Sequence, residues 1–178
     1  MSDEGLSFIK AAYVTQLRHG PFTEGEYGGP GKDDALGMLV RSKYLQEQLV
    51  GGEKRYSLTE SGRSRIKVVL AGGVYDVLHV GHLAALAEAR RLGDVLVVVV
   101  ATDMTVETLK GRKPLFPEED RRVLVEGLKP VDIAILGYED VDLGSSRCLL
   151  KSSRMLWLSV TISGSLRKPS PRSFVDAT

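Results

Sequence analysis

The stretch 66-IKVVLAGGVYDVLHVGH-82 decides the fold. It opens with an apolar run at residues 66–70 that contains a single lysine, continues through two glycines and ends in two histidines. A second apolar run at residues 95–101 holds five valines in seven residues. Strands that are apolar on both faces belong in the middle of a parallel sheet covered by helices. The pair therefore predicts an α/β domain built on a parallel sheet.

The chain between and after these two runs has helical periodicity. Residues 80–92 place Leu83, Leu86, Ala87 and Leu92 near one helical face, which predicts a helix that Gly93 ends. Another helix is expected from Pro117, because the acidic residues that follow suit a helix N-terminus. It leads to a short strand at residues 133–136. The alternation of strands and helices is typical of a doubly wound sheet.

The glycines and histidines after the first strand indicate a phosphate site. Gly72 and Gly73 allow the backbone to approach a bulky anion closely. His79 and His82 are three residues apart, so at a helix start both imidazoles point the same way, and Gly81 keeps the surface between them low. Free N–H groups and the helix dipole favour phosphate there. Ligands bind at this edge of doubly wound sheets, beyond the carboxyl ends of the strands.

Two other interpretations of the histidines are open. They have the spacing of metal ligands, although no cysteine or further histidine lies nearby to complete a transition-metal site, and His19 belongs to another segment. They are also compatible with a purely structural role. We expect no metal site made by protein side chains alone.

Further phrases support a family resemblance. The HxGH phrase at residues 73–82 resembles the signature of the nucleotidyltransferase superfamily that includes cytidylyltransferases and adenylyltransferases. About seventy residues are similar, and the closest resemblance is to archaeal FAD synthase-like and glycerol-3-phosphate cytidylyltransferase-like proteins. The downstream phrases that fit the family lie at residues 101–103, 110–114, 116–122 and 125–132. The resemblance implies a Rossmann-like nucleotidyltransferase domain.

The resemblance also implies roles for individual residues. The catalytic residues would be His79, His82 and Lys110. The nucleotide-binding residues would be Gly72, Gly73, Val74, Tyr75, Gly81, Asp103, Arg121 and Lys129. Mg²⁺ would arrive with the triphosphate, held mainly by phosphate oxygens and water. The implied reaction transfers AMP from ATP to FMN, and the alternative transfers CMP from CTP to glycerol 3-phosphate or a similar alcohol phosphate.

The segment before this domain, residues 1–65, resembles a winged-helix domain. Helical patterns precede a glycine pair, Gly51-Gly52, and the phrase RYSLTESGR at residues 55–63, which looks like a wing and its following helix. Nine basic and nine acidic side chains balance in this segment. DNA binding requires a surplus of positive charge on one face, so a DNA-binding regulator with a nucleotide-sensing domain is the less favoured function.

The last segment, residues 145–178, departs from the family pattern that residues 66–144 follow. It holds six basic side chains, one acidic side chain and nine serines. We hypothesise that it is translated out of frame after a slip near residues 144–146. Read one frame over, residues 153–163 permit Pro-Asp-Val-Val-Ala-Val-Gly-Tyr-Asp-Gln, the strand expected in relatives. The alternative is a genuinely divergent tail, whose basic residues bind nucleic acid or a partner. Within the segment as written, only residues 155–162 are apolar enough for a strand.

Composition sets the remaining expectations. The 178 residues carry a net charge of +1, which argues against a disordered tail or a uniformly basic nucleic-acid binder. A single cysteine, Cys148, excludes a disulfide framework. The longest apolar run is too short to span a bilayer and no secretory signal pattern opens the chain, so we expect a cytoplasmic protein without a membrane partner. The sequence leaves the oligomeric state open.

Overall fold

The computed structural model describes residues 3–137, 155–160 and 166–167. Its described elements, in chain order, are α1 Asp3–His19, α2 Lys32–Arg41, β1 Leu45–Val50, β2 Glu53–Leu58, α3 Glu60–Arg63, β3 Val68–Gly73, α4 Val80–Arg91, β4 Val95–Val100, α5 Asp103–Lys110, α6 Glu118–Glu126, β5 Ile133–Leu136, β6 Met155–Val160 and β7 Leu166–Arg167. The chain divides into two compact units, with a boundary between Lys67 and Val68. The boundary expected from the sequence, between residues 65 and 66, lies two residues earlier.

The first unit contains two helices, a hairpin and one short helix. Strands β1 and β2 pair antiparallel around Gly51-Gly52, both with positive φ, as the glycine pair predicts. Phe22 forms an isolated bridge with Tyr56 through two backbone hydrogen bonds of 3.0 and 2.7 Å. Thr59 caps the short helix α3, because its hydroxyl accepts a hydrogen bond from Gly62 N. Membership of the winged-helix class stays a prediction.

The second unit is the expected α/β domain. Strands β5, β4 and β3 form three adjacent parallel strands, and β6 extends the sheet in parallel on the other side of β3. Strand β7 closes the order antiparallel to β6. Val69, Leu96 and Val98 are fully buried within a core that α4 and α6 also line. The parallel sheet predicted from the two apolar runs is therefore confirmed.

Two details of the predicted elements are wrong. The first strand does not end before the glycines: β3 runs through Gly73, because Gly72 and Gly73 pair with Val99 and Val100 of β4. The buried face of α4 is also rotated. Leu83 is 45% exposed, while the face turned inward consists of His82, Ala85, Leu86 and Ala89. Two small alanines on this face allow α4 to approach the sheet closely. His82 lies on the same buried face.

The final segment is described only in part. The expected strand at residues 155–162 is confirmed as β6, Met155–Val160, paired with β3 from Val68↔Met155 to Gly72↔Ser159. The proposed frame slip near residues 144–146 lies outside the described residues. Among the residues that the structure describes, no helix has the length and apolar character that a bilayer crossing requires.

Candidate active site

The connection from β3 to α4 is a tight turn built around Tyr75. This residue adopts a positive φ of 53° and is buried, with 2% of its surface exposed. Its ring lies against Gly73, where an added Cβ would stand 2.9 Å from the ring carbons. Any larger residue at position 73 would therefore displace Tyr75. Tyr75 packs beneath the turn, with its ring centroid 5.4 Å from that of His82. Its role in nucleotide binding stays a prediction.

The two histidines of the HxGH phrase lie side by side at the start of α4. Their ring centroids are 4.0 Å apart, as the three-residue spacing predicts. His79 is the N-cap residue, and its Nδ1 accepts a 3.1 Å hydrogen bond from Gly81 N. In the neutral ring this bond leaves the proton on Nε2, which makes Nε2 a hydrogen-bond donor. His79 is exposed, so this donor is available to a ligand.

His82 lies deeper than His79 and differs from it electrostatically. Burial, followed by the charge of His79, lowers the pKa of His82 below its ordinary value. Its Nδ1 is buried and has no hydrogen-bond partner among the described residues. The free protein therefore holds His82 as a neutral imidazole at neutral pH. A bound polyanion would reverse this preference by stabilising the imidazolium form.

Arg121 connects three segments of the site. Its side chain, on α6, is fully buried. Nη2 donates to Asp103 Oδ1 at 2.6 Å, Nε donates to the Phe116 carbonyl at 2.9 Å, and Nη1 donates to the Val74 carbonyl. The resemblance implies that Arg121 binds the nucleotide, and the structure shows its guanidinium engaged with protein oxygens on three sides. Val74, also predicted at the nucleotide, contributes its backbone carbonyl to this network.

Asp103 holds the start of α5 at the same edge of the sheet. It follows the end of β4, and its side chain is 43% exposed while pairing with Arg121. Its backbone N–H donates to Glu118 Oε2 at 2.6 Å, which ties α5 to the first turn of α6. Asp103, Gly73 and the two histidines therefore share the carboxyl edge of the parallel strands, as predicted.

The predicted catalytic lysine lies at the far end of α5. Lys110 is exposed, and Gly111 ends the helix with a φ of 65° that only glycine adopts readily. The chain then returns to the site, because Arg112 Nη1 lies 3.3 Å from Asp76 Oδ2. Lys110 thus directly precedes a basic loop, Gly111–Phe116, whose later residues contact the β3–α4 turn.

Lys129 is not brought to the site. It is exposed in the connection between α6 and β5, and this connection enters the sheet at the amino end of β5, where Asp132 N donates to Leu96 O. Parallel strands share their amino ends at the edge opposite the histidines. A nucleotide-binding role for Lys129 therefore has no support in this geometry.

Sequence reasoning missed two residues. Asp76 lies inside the quoted phrase, yet only the structure shows that its carboxylate bonds to the basic loop. From the sequence, Glu118 is expected only to stabilise the N-terminus of its helix by its charge. In the structure its carboxylate also accepts a hydrogen bond from the backbone N–H of Asp103. Both contacts join segments distant in sequence, so no local pattern signals them. No group of three or more potential metal ligands is found among the described residues.

Comparisons with known proteins find similar sequences. The family model described as cytidylyltransferase-like matches residues 70–154, a range that ends just before β6. The FAD synthase of Aciduliprofundum boonei (strain DSM 19572 / T469) is 61% identical over 72 residues, covering 40% of this chain and 48% of that protein. The chain therefore spans about half the length of this curated relative.

A solved structure is also similar in sequence. The lipopolysaccharide core biosynthesis protein from Thermoplasma volcanium GSS1, known from a crystal structure, is 46% identical. The match covers 47% of this chain and 66% of that chain, with a TM-score of 0.43.

Proposed function

We propose that the part of the chain that the cytidylyltransferase-like family model matches, residues 70–154, transfers a nucleoside monophosphate from a nucleoside triphosphate to a phosphate-bearing acceptor. A phosphate oxygen of the acceptor attacks the α-phosphorus and forms the new P–O bond. The bond from the α-phosphorus to the oxygen bridging to the β-phosphate breaks, and pyrophosphate leaves with Mg²⁺. Such a reaction requires positioning and charge stabilisation, with no covalent enzyme intermediate.

The paired imidazoles at the start of α4 carry this proposal. His79 presents an Nε2 donor beside the exposed N-terminus of a twelve-residue helix, whose dipole favours phosphate oxygens. His82, 4.0 Å away between ring centroids, gains a proton most readily when negative charge is near. Together they suit an α-phosphate whose charge grows during transfer.

We further propose that the donor is ATP and the acceptor is FMN. The support is the FAD synthase of Aciduliprofundum boonei, which is 61% identical over the matched stretch. The alternative donor is CTP, which the description of the matching family supports, and glycerol 3-phosphate or a similar alcohol phosphate would then be the acceptor. In both reactions Mg²⁺ enters as part of the nucleotide substrate, and the exposed cations of the basic loop would attract the triphosphate.

A substrate matrix tests the proposal. Pyrophosphate release is measured with ATP or CTP, each combined with FMN or glycerol 3-phosphate, in the presence of Mg²⁺. We expect release with ATP and FMN together, with FAD as the second product. Release only with CTP and glycerol 3-phosphate would select the alternative, and release with neither pair would contradict both.

A further inference from the structure

The carboxylate of Asp76 joins the β3–α4 turn to the basic loop. Oδ1 accepts hydrogen bonds from Leu115 N at 2.6 Å and from Phe116 N at 3.4 Å. Oδ2 accepts from Arg112 Nη1 at 3.3 Å. Only 9% of the Asp76 side chain is exposed. A carboxylate so enclosed, with three donors from one loop, is a structural attachment for that loop rather than a solvated charge.

The peptide group of Phe116 is held on both sides. Its N–H points to Asp76, and its carbonyl accepts from Arg121 Nε at 2.9 Å. Arg121 also binds the Val74 carbonyl, two residues before Asp76. The end of the basic loop is therefore fixed against the turn that leads to His79. Lys110, which directly precedes the loop, makes no side-chain hydrogen bond or ion pair with the described residues.

The charge of Asp76 is stable under ordinary conditions. Burial opposes the carboxylate, but the N–H groups of Leu115 and Phe116 and the guanidinium of Arg112 outweigh it and lower the pKa of Asp76. The attachment is thus intact at neutral pH.

We propose that Asp76 is a positioning residue for polyphosphate binding, acting through the basic loop that contains Arg112. The inference rests on the proposed function, since it assigns the loop cations to the triphosphate of the donor nucleotide. Asp76 itself is an anion and would repel the triphosphate. Asp76 therefore contributes by holding the loop so that the loop cations face the ligand. This contribution must exceed the repulsion between its own charge and the triphosphate.

The two effects of Asp76, repulsion of the triphosphate and attachment of the loop, predict opposite changes in polyphosphate affinity when its charge is removed. If Asp76 acted only as a nearby negative charge, Asp76→Asn would tighten polyphosphate binding, because one repulsive charge is removed. If Asp76 positions the loop, the same variant would weaken binding by about tenfold, because bonds to a charged acceptor are lost. The probe is inorganic tripolyphosphate with Mg²⁺, measured by calorimetry. Asp120→Asn, which removes an exposed carboxylate on α6, is the matched control.

Hydrogen exchange provides a structural measurement that is independent of any ligand. In Asp76→Asn we expect faster exchange at the amides of Leu115 and Phe116, and unchanged exchange in β4. Asp76→Glu keeps the charge but shifts it by one methylene, so it should weaken tripolyphosphate binding while leaving net charge unaltered. This second variant also keeps the test valid if the asparagine variant fails to fold.

A double-mutant cycle tests the route of the effect. In an Arg112→Gln background, Asp76→Asn should weaken tripolyphosphate binding less than it does in the wild type. Equal or tighter binding by Asp76→Asn, an effect undiminished in the Arg112→Gln background, or no binding by the wild type would each overturn the inference. Tripolyphosphate binding without any nucleotidyl transfer would contradict the proposed function alone.

Discussion

His79 and His82 are in ring contact, yet the protein treats their ring nitrogens differently. His79 Nδ1 accepts a bond from Gly81 N, whereas His82 Nδ1 is buried without a partner among the described residues. One imidazole therefore has its tautomer fixed, and the other is free to change its protonation when charge arrives. We therefore propose that His79 contacts the ligand and that His82 responds to the charge of the ligand.

The capping and chemical roles of His79 are separable. Asparagine is a good N-cap residue, so His79→Asn should retain the cap and change the free energy of unfolding by less than about 0.5 kcal/mol. Loss of the Nε2 donor should lower kcat for pyrophosphate release by about 10²–10³-fold. His19→Asn, in the first unit, is the control and should keep full activity. Full activity in His79→Asn would remove the histidine from the mechanism.

Arg121 should dominate the local stability of the site. Arg121→Met leaves the Val74 and Phe116 carbonyls and the Asp103 carboxylate without their shared donor, so we expect a loss of about 3 kcal/mol in the free energy of unfolding. The neighbouring Arg122 pairs with Glu119 and Glu126 near the surface. Arg122→Met should therefore cost less than about 1 kcal/mol.

Urea unfolding of the two arginine variants, followed by circular dichroism, measures this difference. Equal losses for Arg121→Met and Arg122→Met would show that the buried network adds nothing beyond a surface ion pair.

The lowered pKa of His82 predicts a pH dependence of stability. In the unfolded chain His82 titrates near 6.5, and in the folded protein it titrates at lower pH. Between these values the unfolded state binds more protons, so the free energy of unfolding falls as the pH decreases through this window. His82→Gln removes this contribution. The variant should lose less stability than the wild type between about pH 7.5 and about pH 5.5, and an equal loss in both proteins would contradict the assignment.

The sequence predicts much of this domain because its signals are local. Apolar runs determine β3 and β4, and the three-residue spacing determines the contact of His79 and His82. A local pattern does not show at which edge of the sheet a residue lies. Lys129 is therefore expected at the site, although its connection enters the sheet at the edge opposite the histidines. The predicted buried face of α4 is also wrong. Ala85 and Ala89 are small side chains that allow close packing, but they contribute little to an apolar pattern in the sequence.

The frame hypothesis for residues 145–178 is tested by the gene. A single-base change near codons 144–146 should open a reading in which residues 153–163 become Pro-Asp-Val-Val-Ala-Val-Gly-Tyr-Asp-Gln. Protein made from the corrected gene should then show higher nucleotidyl transfer than the 178-residue chain, because it would carry the strand expected in relatives. If no such change opens the family reading, the tail is genuine divergence.

The central claim is that the α-phosphorus of a nucleoside triphosphate is attacked at the His79–His82 edge of the sheet. The most direct measurement uses ATP labelled with ³²P at the α or the γ position, with FMN as acceptor and Mg²⁺ present. The account predicts that the α label moves into FAD and the γ label appears in pyrophosphate, with both processes slowed by about 10²–10³-fold in His79→Asn. Release of the γ label as orthophosphate, or its transfer to the acceptor, would contradict the claim.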